Sequence, residues 1–410
     1  MLRHGAVVIV GAGQAGLQTA VSLRSAGFER SVVLIGAEPG LPYEHPPLSK
    51  ALLAGTAQPK DVALRPESYF DSHEVELLAG ERVVAVERDM RRVLLESGAA
   101  VRYEHLVLAT GAVNRRLECP GCELDGVLSL RTLAQALELR ERLLDAERVA
   151  IVGAGFIGLE VAAVARAMGK QVDVFELAEL PMGRVVSEPT ARFFARAHRR
   201  EGVHLHFNSG VRRIVGDGGR ARAVETSDGD TVLADVVLVA IGIVPDDELA
   251  AVAGLPVAGG VRVDQRLLTP DPAISAIGDC ARFPSPFADR PVILESVQNA
   301  CDQGRAVAAR VSGDDRAYTA VPWFWSDQGQ LRLQIAGLTV GAQDAVVIGD
   351  PEQGRFSALC FAGGRLLGVE SVGRPGDHVA ARKLLARRAS LSPEQARRAD
   401  FDLKAYARAA

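Results

Sequence analysis

Two glycine-rich segments have the spacing that binds the pyrophosphate of a dinucleotide. They are Gly11-x-Gly13-x-x-Gly16 and Gly153-x-Gly155-x-x-Gly158. In such a loop the first glycine permits a tight turn, the second lets the backbone approach the phosphates, and the third lets the following helix pack on the sheet. The positive amino end of that helix then faces the phosphates. One such motif is weak evidence, whereas two copies in matched surroundings indicate two nucleotide sites.

An acidic residue follows each glycine segment. Glu176 ends the strand after the second segment, at the spacing of an acid that accepts hydrogen bonds from ribose hydroxyls. Its carboxylate and that of Glu179 would repel a 2′-phosphate, which predicts a preference for NADH over NADPH, although the nearby Arg184 leaves NADPH open. After the first segment the strand ends Ile35-Gly36-Ala37-Glu38. Glu38 is therefore the candidate ribose acid there, and a solvated surface glutamate is the alternative.

A third chemical motif is the CxxC sequence of Cys119 and Cys122. Closely spaced cysteines can form a redox-active dithiol, as in disulfide or peroxide reductases, or can coordinate a metal ion. This pair follows LATG in a predicted connection, away from both glycine segments, so we interpret it as part of a loop and predict no metal site. Cys280 is predicted to lie in the core. With five cysteines in 410 residues, a disulfide scaffold is not expected.

An internal repeat must position the two glycine segments. VVIVGAGQAGLQTA, from Val7, reappears as VAIVGAGFIGLEVA, from Val149, and a second apolar run follows each copy. Strand, glycine turn, helix and strand form a βαβ unit with parallel strands. LVLATGA and VVLVAIGIVP supply a further matched pair of strands. These patterns predict an α/β protein with two nested Rossmann-type dinucleotide-binding domains and a C-terminal α+β domain.

The predicted domain boundaries follow from inserting the second copy into the first. Residues 1–112 and 241–318 would form the first nucleotide-binding domain, and residues 113–240 the second. In residues 319–410 short apolar runs alternate with turn residues, and PWFWSDQ holds both tryptophans. This pattern predicts an antiparallel sheet with a closing helix.

The composition excludes several classes of protein. Apolar residues make up 48% and charged residues 24%, as in globular proteins with a large core. The net charge of −4 gives no reason to expect nucleic acid or an anionic membrane as a partner. No apolar run reaches the roughly 18–20 residues of a membrane-spanning helix, and the first residues lack a signal-peptide layout. We therefore expect a cytoplasmic protein with no membrane partner.

The order of several short motifs resembles a known family. The motifs are LPYEHPPLSK from Leu41, LATG from Leu108, LRTL from Leu130, SAIGDC from Ser275, ESVQNA from Glu295 and PWFWSDQ from Pro322. Nearly the whole chain resembles the NADH-dependent ferredoxin reductases of bacterial oxygenase systems, a putidaredoxin reductase-like branch of the glutathione-reductase-like flavoproteins. The resemblance implies FAD in the first domain and NADH in the second. It also implies one-electron transfer to a two-iron ferredoxin that serves a haem monooxygenase or a ring-hydroxylating dioxygenase.

The resemblance also assigns residues to the FAD. They are Gly11, Gly13, Ala15, Gly16, Glu38, Lys50, Val83, Arg131, Gly278, Asp279 and Val297, with Trp325 closing over the flavin. The family usually has an acid at position 37, where this chain has Ala37. Glu38 is the candidate that replaces it.

Lys50 and Glu160 are the residues predicted to act in catalysis. The resemblance places Lys50 beside the flavin ring, and Glu160 lies two residues after Gly158 in the helix that approaches the nicotinamide. We predict an ion pair between them beside flavin N5, which positions the nicotinamide for hydride transfer. For Glu160, an acid that only stabilises the helix dipole is the alternative.

A docking surface for the ferredoxin is predicted from Arg305, Arg310 and Trp325. The helical stretch 303–310 would present both arginines on one broad side, and together with the tryptophan they would suit an acidic ferredoxin. The alternative is a core tryptophan with solvated arginines.

Two other functions compete with electron transfer to a ferredoxin. One is an NADH-dependent disulfide or peroxide reductase of the same fold. The other is a flavoprotein with a mainly binding role, like apoptosis-inducing factor. That class usually carries targeting segments and basic nucleic-acid surfaces, which the sequence of this chain does not show.

Overall fold

The computed structural model describes residues 6–409, which form two compact units. Unit 1 contains the described residues up to 44, together with 60–113 and 244–322. Unit 2 contains 45–59, 114–243 and the described residues from 323 onward. Residues predicted to form the second and third domains thus fall in one compact unit, and the three-domain partition stays a prediction.

The described residues form 25 strands, ten helices and three short 3₁₀ turns. The strands are β1 Val7–Val10, β2 Val32–Gly36, β3 Val75–Ala79, β4 Val83–Glu87, β5 Arg92–Leu95, β6 Ala100–Arg102, β7 His105–Leu108, β8 Ala112–Asn114, β9 Val127–Ser129, β10 Arg148–Val152, β11 Gln171–Glu176, β12 Val203–Phe207, β13 Val211–Asp217, β14 Arg220–Thr226, β15 Thr231–Leu233, β16 Val236–Val239, β17 Ile243–Pro245, β18 Val261–Arg262, β19 Ile274–Ala276, β20 Ala281–Arg282, β21 Trp323–Gln328, β22 Leu331–Gly337, β23 Asp344–Asp350, β24 Arg355–Ala362 and β25 Arg365–Val372. The helices are α1 Gln14–Ser25, α2 Glu67–Ser72, α3 Leu133–Asp145, α4 Phe156–Ala167, α5 Glu188–Arg200, α6 Glu248–Val252, α7 Val297–Val311, α8 Pro375–Arg387, α9 Pro393–Ala396 and α10 Leu403–Ala409. Short 3₁₀ turns span Pro46–Ser49, Pro59–Val62 and Gly278–Cys280.

Unit 1 is built on a parallel sheet with the strand order β19-β7-β1-β2-β3. All four residues of β1 are buried, as expected for a parallel strand that is covered on both faces. Helices α1 and α7 pack together, and a Cβ at Gly304 would lie 2.9 Å from the carbonyl oxygen of Ala15. This close helix crossing places the middle of α7 against the start of α1, which follows the first glycine loop.

Unit 2 contains a second parallel sheet, with the order β12-β11-β10-β16-β9. In both units the strand before the glycine loop pairs with the strand after the helix, Val7 opposite Val32 and Val149 opposite Val172. The predicted βαβ repeat is therefore confirmed.

Unit 2 also contains an antiparallel sheet with the order β21-β22-β25-β24-β23, against which α8 packs. The predicted C-terminal antiparallel sheet and closing helix are confirmed. Glu370, fully buried in β25, accepts hydrogen bonds from the backbone N–H and the hydroxyl of Ser187 at 2.8 and 2.6 Å. These bonds tie the sheet to the start of α5.

No helix within residues 6–409 combines the length and the apolar character that crossing a membrane requires.

Candidate active site

The first glycine loop leaves an open side where a pyrophosphate can approach. Gly11 has a φ of +109°, and a Cβ there would lie 2.0 Å from the carbonyl oxygen of Ala109. At Gly13 an added Cβ would meet no atom within 4 Å. The loop is thus closed against the sheet and open on the other side, which fits a bound dinucleotide.

Other residues assigned to the FAD lie in the same unit. Gly278 begins a 3₁₀ turn after β19, and its N–H donates to Oε1 of Gln303 at 2.7 Å. The Nε2 atom of the fully buried Gln303 has no hydrogen-bond partner among the described residues. Val297 is the first residue of α7, and Val83 is the half-buried first residue of β4. An unpartnered amide beside a glycine turn fits a site that a polar cofactor completes.

The second glycine loop has the same form and holds its acid in place. Gly153 has a φ of +105°, and Gly155 is open in the same way as its counterpart in the first loop. Glu176 accepts hydrogen bonds from the N–H of Ala154 through Oε2 at 2.9 Å and from the N–H of Ala178 through Oε1 at 3.0 Å. Two backbone donors thus fix this carboxylate against the loop. Its remaining lone pairs can accept ribose hydroxyls.

Glu38 is placed differently from Glu176. The strand registers match Gly36, not Glu38, to the position of Glu176. A Cβ at Gly36 would lie 2.7 Å from the Cβ of Ala12, so a side chain at the matched position would collide with the loop. Glu38 lies two residues further on, is exposed, and accepts a hydrogen bond from the hydroxyl of Tyr43 at 2.7 Å. Its role at the ribose stays a prediction.

Lys50 and Glu160 form the predicted ion pair. Nζ of Lys50 lies 2.5 Å from Oε2 of Glu160, although the two residues are 110 positions apart. Lys50 follows the 3₁₀ turn Pro46–Ser49, and Glu160 lies near the start of α4 with only 3% of its side chain exposed. A buried carboxylate is stable only when it is paired and hydrogen-bonded. An acid that only stabilised the helix dipole would not need a lysine partner, so the ion pair argues against that alternative. The role of the ion pair beside the flavin stays a prediction.

Two serines that the sequence analysis did not single out complete the shell of Glu160. Ser49 donates to Oε2 at 2.5 Å, and Ser326 donates to Oε1 at 2.7 Å. Both serines lie inside motifs that carry the family resemblance, PPLSK and PWFWSDQ. That location was the one available signal, because a serine in a short motif does not reveal its long-range partner.

Strand β21 presents two faces with different partners, since successive residues point to opposite sides. The ring of Phe324 lies 4.6 Å from that of Phe156 in α4, on the face that also carries Ser326. On the other face Trp325 is half-buried, and its ring centre lies 5.6 Å from that of Trp323. Trp325 is thus neither a core residue nor fully exposed.

Arg131, also assigned to the FAD, is half-buried just before α3, and its backbone N–H donates to Oε1 of Gln135 at 2.8 Å. Burial, with a smaller contribution from the charge of Arg131, lowers the pKa of His45 to about 4. His45 is therefore neutral at physiological pH.

The two candidate docking arginines do not share one side of α7, so that prediction is wrong. Arg305 is exposed and pairs with Asp302 at 2.6 Å. Arg310 is half-buried and donates to the hydroxyl of Ser275 at 2.6 Å, beside His105. Five residues turn a helix by about 500°, which leaves the two side chains about 140° apart. Arg305 remains a docking candidate and Arg310 does not.

The cysteines lack the surroundings of reactive thiols. Cys122 donates its N–H to the carbonyl oxygen of Cys119 at 3.2 Å in a turn that Gly121 permits with a φ of +86°. Burial, followed by the proximity of Cys122, raises the pKa of Cys119, whereas an activated thiol has a lowered pKa. Cys280 is fully buried, as predicted for a core residue. Among the described residues no group of three or more His, Cys, Asp or Glu could hold a metal ion.

Known proteins share both the sequence and the fold of this chain. The family model for pyridine nucleotide-disulphide oxidoreductases matches residues 5–304, and the model for the reductase C-terminal domain matches residues 323–407. The chain belongs to the pyridine nucleotide-disulphide oxidoreductase family. It is 51% identical over 398 residues to rhodocoxin reductase of Rhodococcus erythropolis, covering 97% of this chain and 93% of that protein.

Two solved structures are closely similar to this protein. The ferredoxin reductase for the CYP199A2 system from Rhodopseudomonas palustris has a TM-score of 0.96 at 48% identity, over 98% of this chain and 100% of that one. The reductase in the covalent putidaredoxin reductase–putidaredoxin complex has a TM-score of 0.95 at 36% identity, over 100% of both chains. The protein is therefore an NAD(P)H-dependent flavoprotein oxidoreductase of the ferredoxin reductase type, with FAD as its cofactor.

Proposed function

We propose that this protein transfers electrons from NADH, through FAD, to a two-iron ferredoxin that serves a haem monooxygenase or a ring-hydroxylating dioxygenase. FAD supplies the necessary chemistry when bound, because it accepts the two electrons of a hydride together and can release them singly. The observation that carries the proposal is the buried ion pair of Lys50 and Glu160. It belongs to the same unit as the second glycine loop and its fixed acid.

The residues of this chain would bind and orient the two dinucleotides. The first loop, with Gly278, Asp279 and Val297, would hold FAD, and the second loop would hold the nicotinamide dinucleotide. Lys50 would provide a cation beside the flavin, which gains negative charge on reduction, and Glu160 would keep that cation in place. Because the carboxylate is 3% exposed, bulk water screens this pair weakly.

The proposed preference for NADH rests on Glu176. Its carboxylate is already held at the loop by two backbone N–H groups, so it cannot swing away from a 2′-phosphate without losing both bonds. No cation lies within 4.0 Å of it among the described residues, so its charge is not neutralised by an ion pair. Repulsion of a phosphate at this position would therefore favour NADH.

The relatives support a ferredoxin as the electron acceptor. They include a rhodocoxin reductase and a putidaredoxin reductase solved as a covalent complex with putidaredoxin. For docking we propose Arg305 in unit 1 and Trp325 in unit 2. The net charge and the cofactor requirements are consistent with a cytoplasmic location, which we also propose.

The competing function, a disulfide or peroxide reductase, is not supported by Cys119, Cys280 or Cys301. Burial raises the pKa values of Cys119, Cys280 and Cys301. Thiols of this kind carry little thiolate at neutral pH, and the thiolate is the species that attacks a disulfide or a peroxide.

A turnover experiment separates the two functions. The holoenzyme is mixed with NADH and cytochrome c, with and without a two-iron ferredoxin, and reduction of the cytochrome is followed. We expect strong dependence on the ferredoxin and weak turnover without it. Consumption of hydrogen peroxide or of a disulfide reagent at the expense of NADH, with no response to any ferredoxin in a panel, would contradict the proposal.

A further inference from the structure

A buried chain of hydrogen bonds runs from α5 to Glu160. Nε2 of His198 lies 2.8 Å from Oε1 of Gln328, and Nε2 of Gln328 lies 3.3 Å from the hydroxyl of Ser326. Ser326 in turn lies 2.7 Å from Oε1 of Glu160. The exposed fractions are 4% for His198, 3% for Gln328, 0% for Ser326 and 3% for Glu160. All four side chains belong to unit 2.

The strand geometry explains how the chain forms. Ser326 and Gln328 lie two positions apart in β21, so their side chains point to the same face. On that face Ser326 meets Glu160 in α4 and Gln328 meets His198 in α5. One strand of the C-terminal sheet thus connects the helix that begins in the second glycine loop with the next helix along the chain.

The donor and the acceptor of each hydrogen bond between Glu160 and His198 can be assigned from the chemical groups. A carboxylate can only accept hydrogen bonds, so the hydroxyl of Ser326 must donate its hydrogen bond to Glu160. The hydroxyl oxygen of Ser326 then accepts from the amide of Gln328, which turns the carbonyl oxygen of that amide towards His198. Nε2 of His198 must therefore carry a proton. Burial lowers the pKa of His198, which keeps the ring neutral, and a neutral ring with a proton on Nε2 satisfies the chain.

We propose that His198, Gln328 and Ser326 are positioning residues that hold the carboxylate of Glu160 oriented towards Lys50. The proposal rests on the proposed function of the ion pair. Ser326 is the side-chain donor that reaches Oε1, whereas Lys50 and Ser49 both reach Oε2. Without the hydroxyl of Ser326 this buried carboxylate oxygen loses its side-chain donor, and the carboxylate is free to turn. Such a turn weakens its ion pair with Lys50.

The same unit offers a matched control. Ser357 is fully buried and donates to Oδ2 of the buried Asp377 at 3.0 Å, and that carboxylate pairs with Arg374 at 2.6 Å. This serine, carboxylate and cation repeat the arrangement around Glu160 without a link to it. Ser357→Ala therefore removes an equivalent bond and should leave the reaction with NADH unchanged.

The first test measures flavin reduction by NADH in the stopped-flow spectrometer, using the holoenzyme. Ser326→Ala should lower the limiting rate about tenfold, as expected when a charged group loses one hydrogen bond. The dissociation constant for NADH should change little. Ser326→Thr, which keeps the hydroxyl, should restore most of the rate, and thermal unfolding should report the stability of all variants.

The second test does not depend on turnover. Nitrogen NMR of the oxidised holoenzyme labelled in its histidines, assigned with His198→Gln, should show the Nε2–H tautomer of His198. Gln328→Leu should change that signal and slow flavin reduction, because it breaks the chain at its centre. A proton on Nδ1 of His198 in the wild-type protein would overturn the proposed direction of the chain.

The outcomes separate this inference from the proposed function. Slow flavin reduction in Lys50→Ala together with a normal rate in Ser326→Ala would refute the positioning role of the hydrogen-bond chain. The proposed role of the ion pair would stand. Normal rates in both variants would refute the role of the ion pair itself. Equal slowing in Ser326→Ala and in the control Ser357→Ala would show a general loss of packing and would also refute the positioning role.

Discussion

Replacing Glu160 with glutamine tests the central feature of the site. The substitution keeps the size of the side chain and removes its charge. In the structure Glu160 accepts hydrogen bonds from Lys50, Ser49 and Ser326, and a glutamine amide presents one oxygen and two N–H donors to the same groups. The amide NH2 must then face either Ser326 or both Lys50 and Ser49, and Lys50 cannot accept a hydrogen bond. Lys50, with 23% of its side chain exposed, loses its carboxylate and gains freedom to move.

The expected magnitude follows from the bonds that are lost. A hydrogen bond to a charged group contributes about 1.5–3 kcal/mol. If that loss falls wholly on the transition state, the rate of flavin reduction decreases about tenfold to about 150-fold. We expect the lower part of this range, because Lys50 is partly solvated and water can replace some of the lost interaction.

Stopped-flow bleaching of the flavin band at saturating NADH is the assay. The absorbance spectrum of the variant before mixing shows whether FAD is still bound. Glu225→Gln is a matched control, because Glu225 is buried in β14 and pairs with Arg213 at 2.6 Å outside this cluster. A Glu160→Gln variant that binds FAD and is reduced at the wild-type rate would refute the proposed role of the ion pair.

Three further predictions address cofactor choice, the cysteines and docking. Glu176→Ala should weaken the binding of NADH and lower the ratio of kcat/KM for NADH to kcat/KM for NADPH. A wild-type enzyme that prefers NADPH would contradict the assignment. Replacing Cys119 and Cys122 together with serine should leave ferredoxin reduction near the wild-type rate, and a loss of more than about tenfold, or about 1.4 kcal/mol of barrier, would revive the dithiol hypothesis. Arg305→Glu should raise the KM for ferredoxin and flatten its salt dependence while NADH oxidation by ferricyanide stays unaffected. Equal damage to both activities would assign Arg305 to the fold or the flavin instead.

The prediction from sequence succeeded where the signal was local and repeated. Both glycine loops, their parallel strands and the C-terminal antiparallel sheet are present as expected. The Lys50–Glu160 pair was also anticipated, but through resemblance to a family, since nothing local to either residue specifies a partner 110 positions away.

The prediction that Arg305 and Arg310 share one side of α7 failed because the sequence does not show which elements pack against that helix. Arg305 and Arg310 are both basic residues of an amphipathic helix, and sequence spacing alone leaves a broad exposed side open to both. The hydroxyl of Ser275, supplied by β19, draws Arg310 inwards. The position of Glu38 was also beyond sequence analysis. A side chain at position 36 would collide with Ala12, and this contact is visible only in three dimensions.

The sequence by itself determined the backbone plan of this protein. Glycine spacing, strand alternation and turn residues act through dihedral angles and sterics within a few residues, so they can be interpreted locally. Only the tertiary structure decided what surrounds Glu160. Its donors come from positions 111 and 166 residues away, and the chain behind Ser326 extends to His198 in a different helix. The reason is physical: burying a charge requires partners from whichever elements pack against it, and packing is a property of the whole fold.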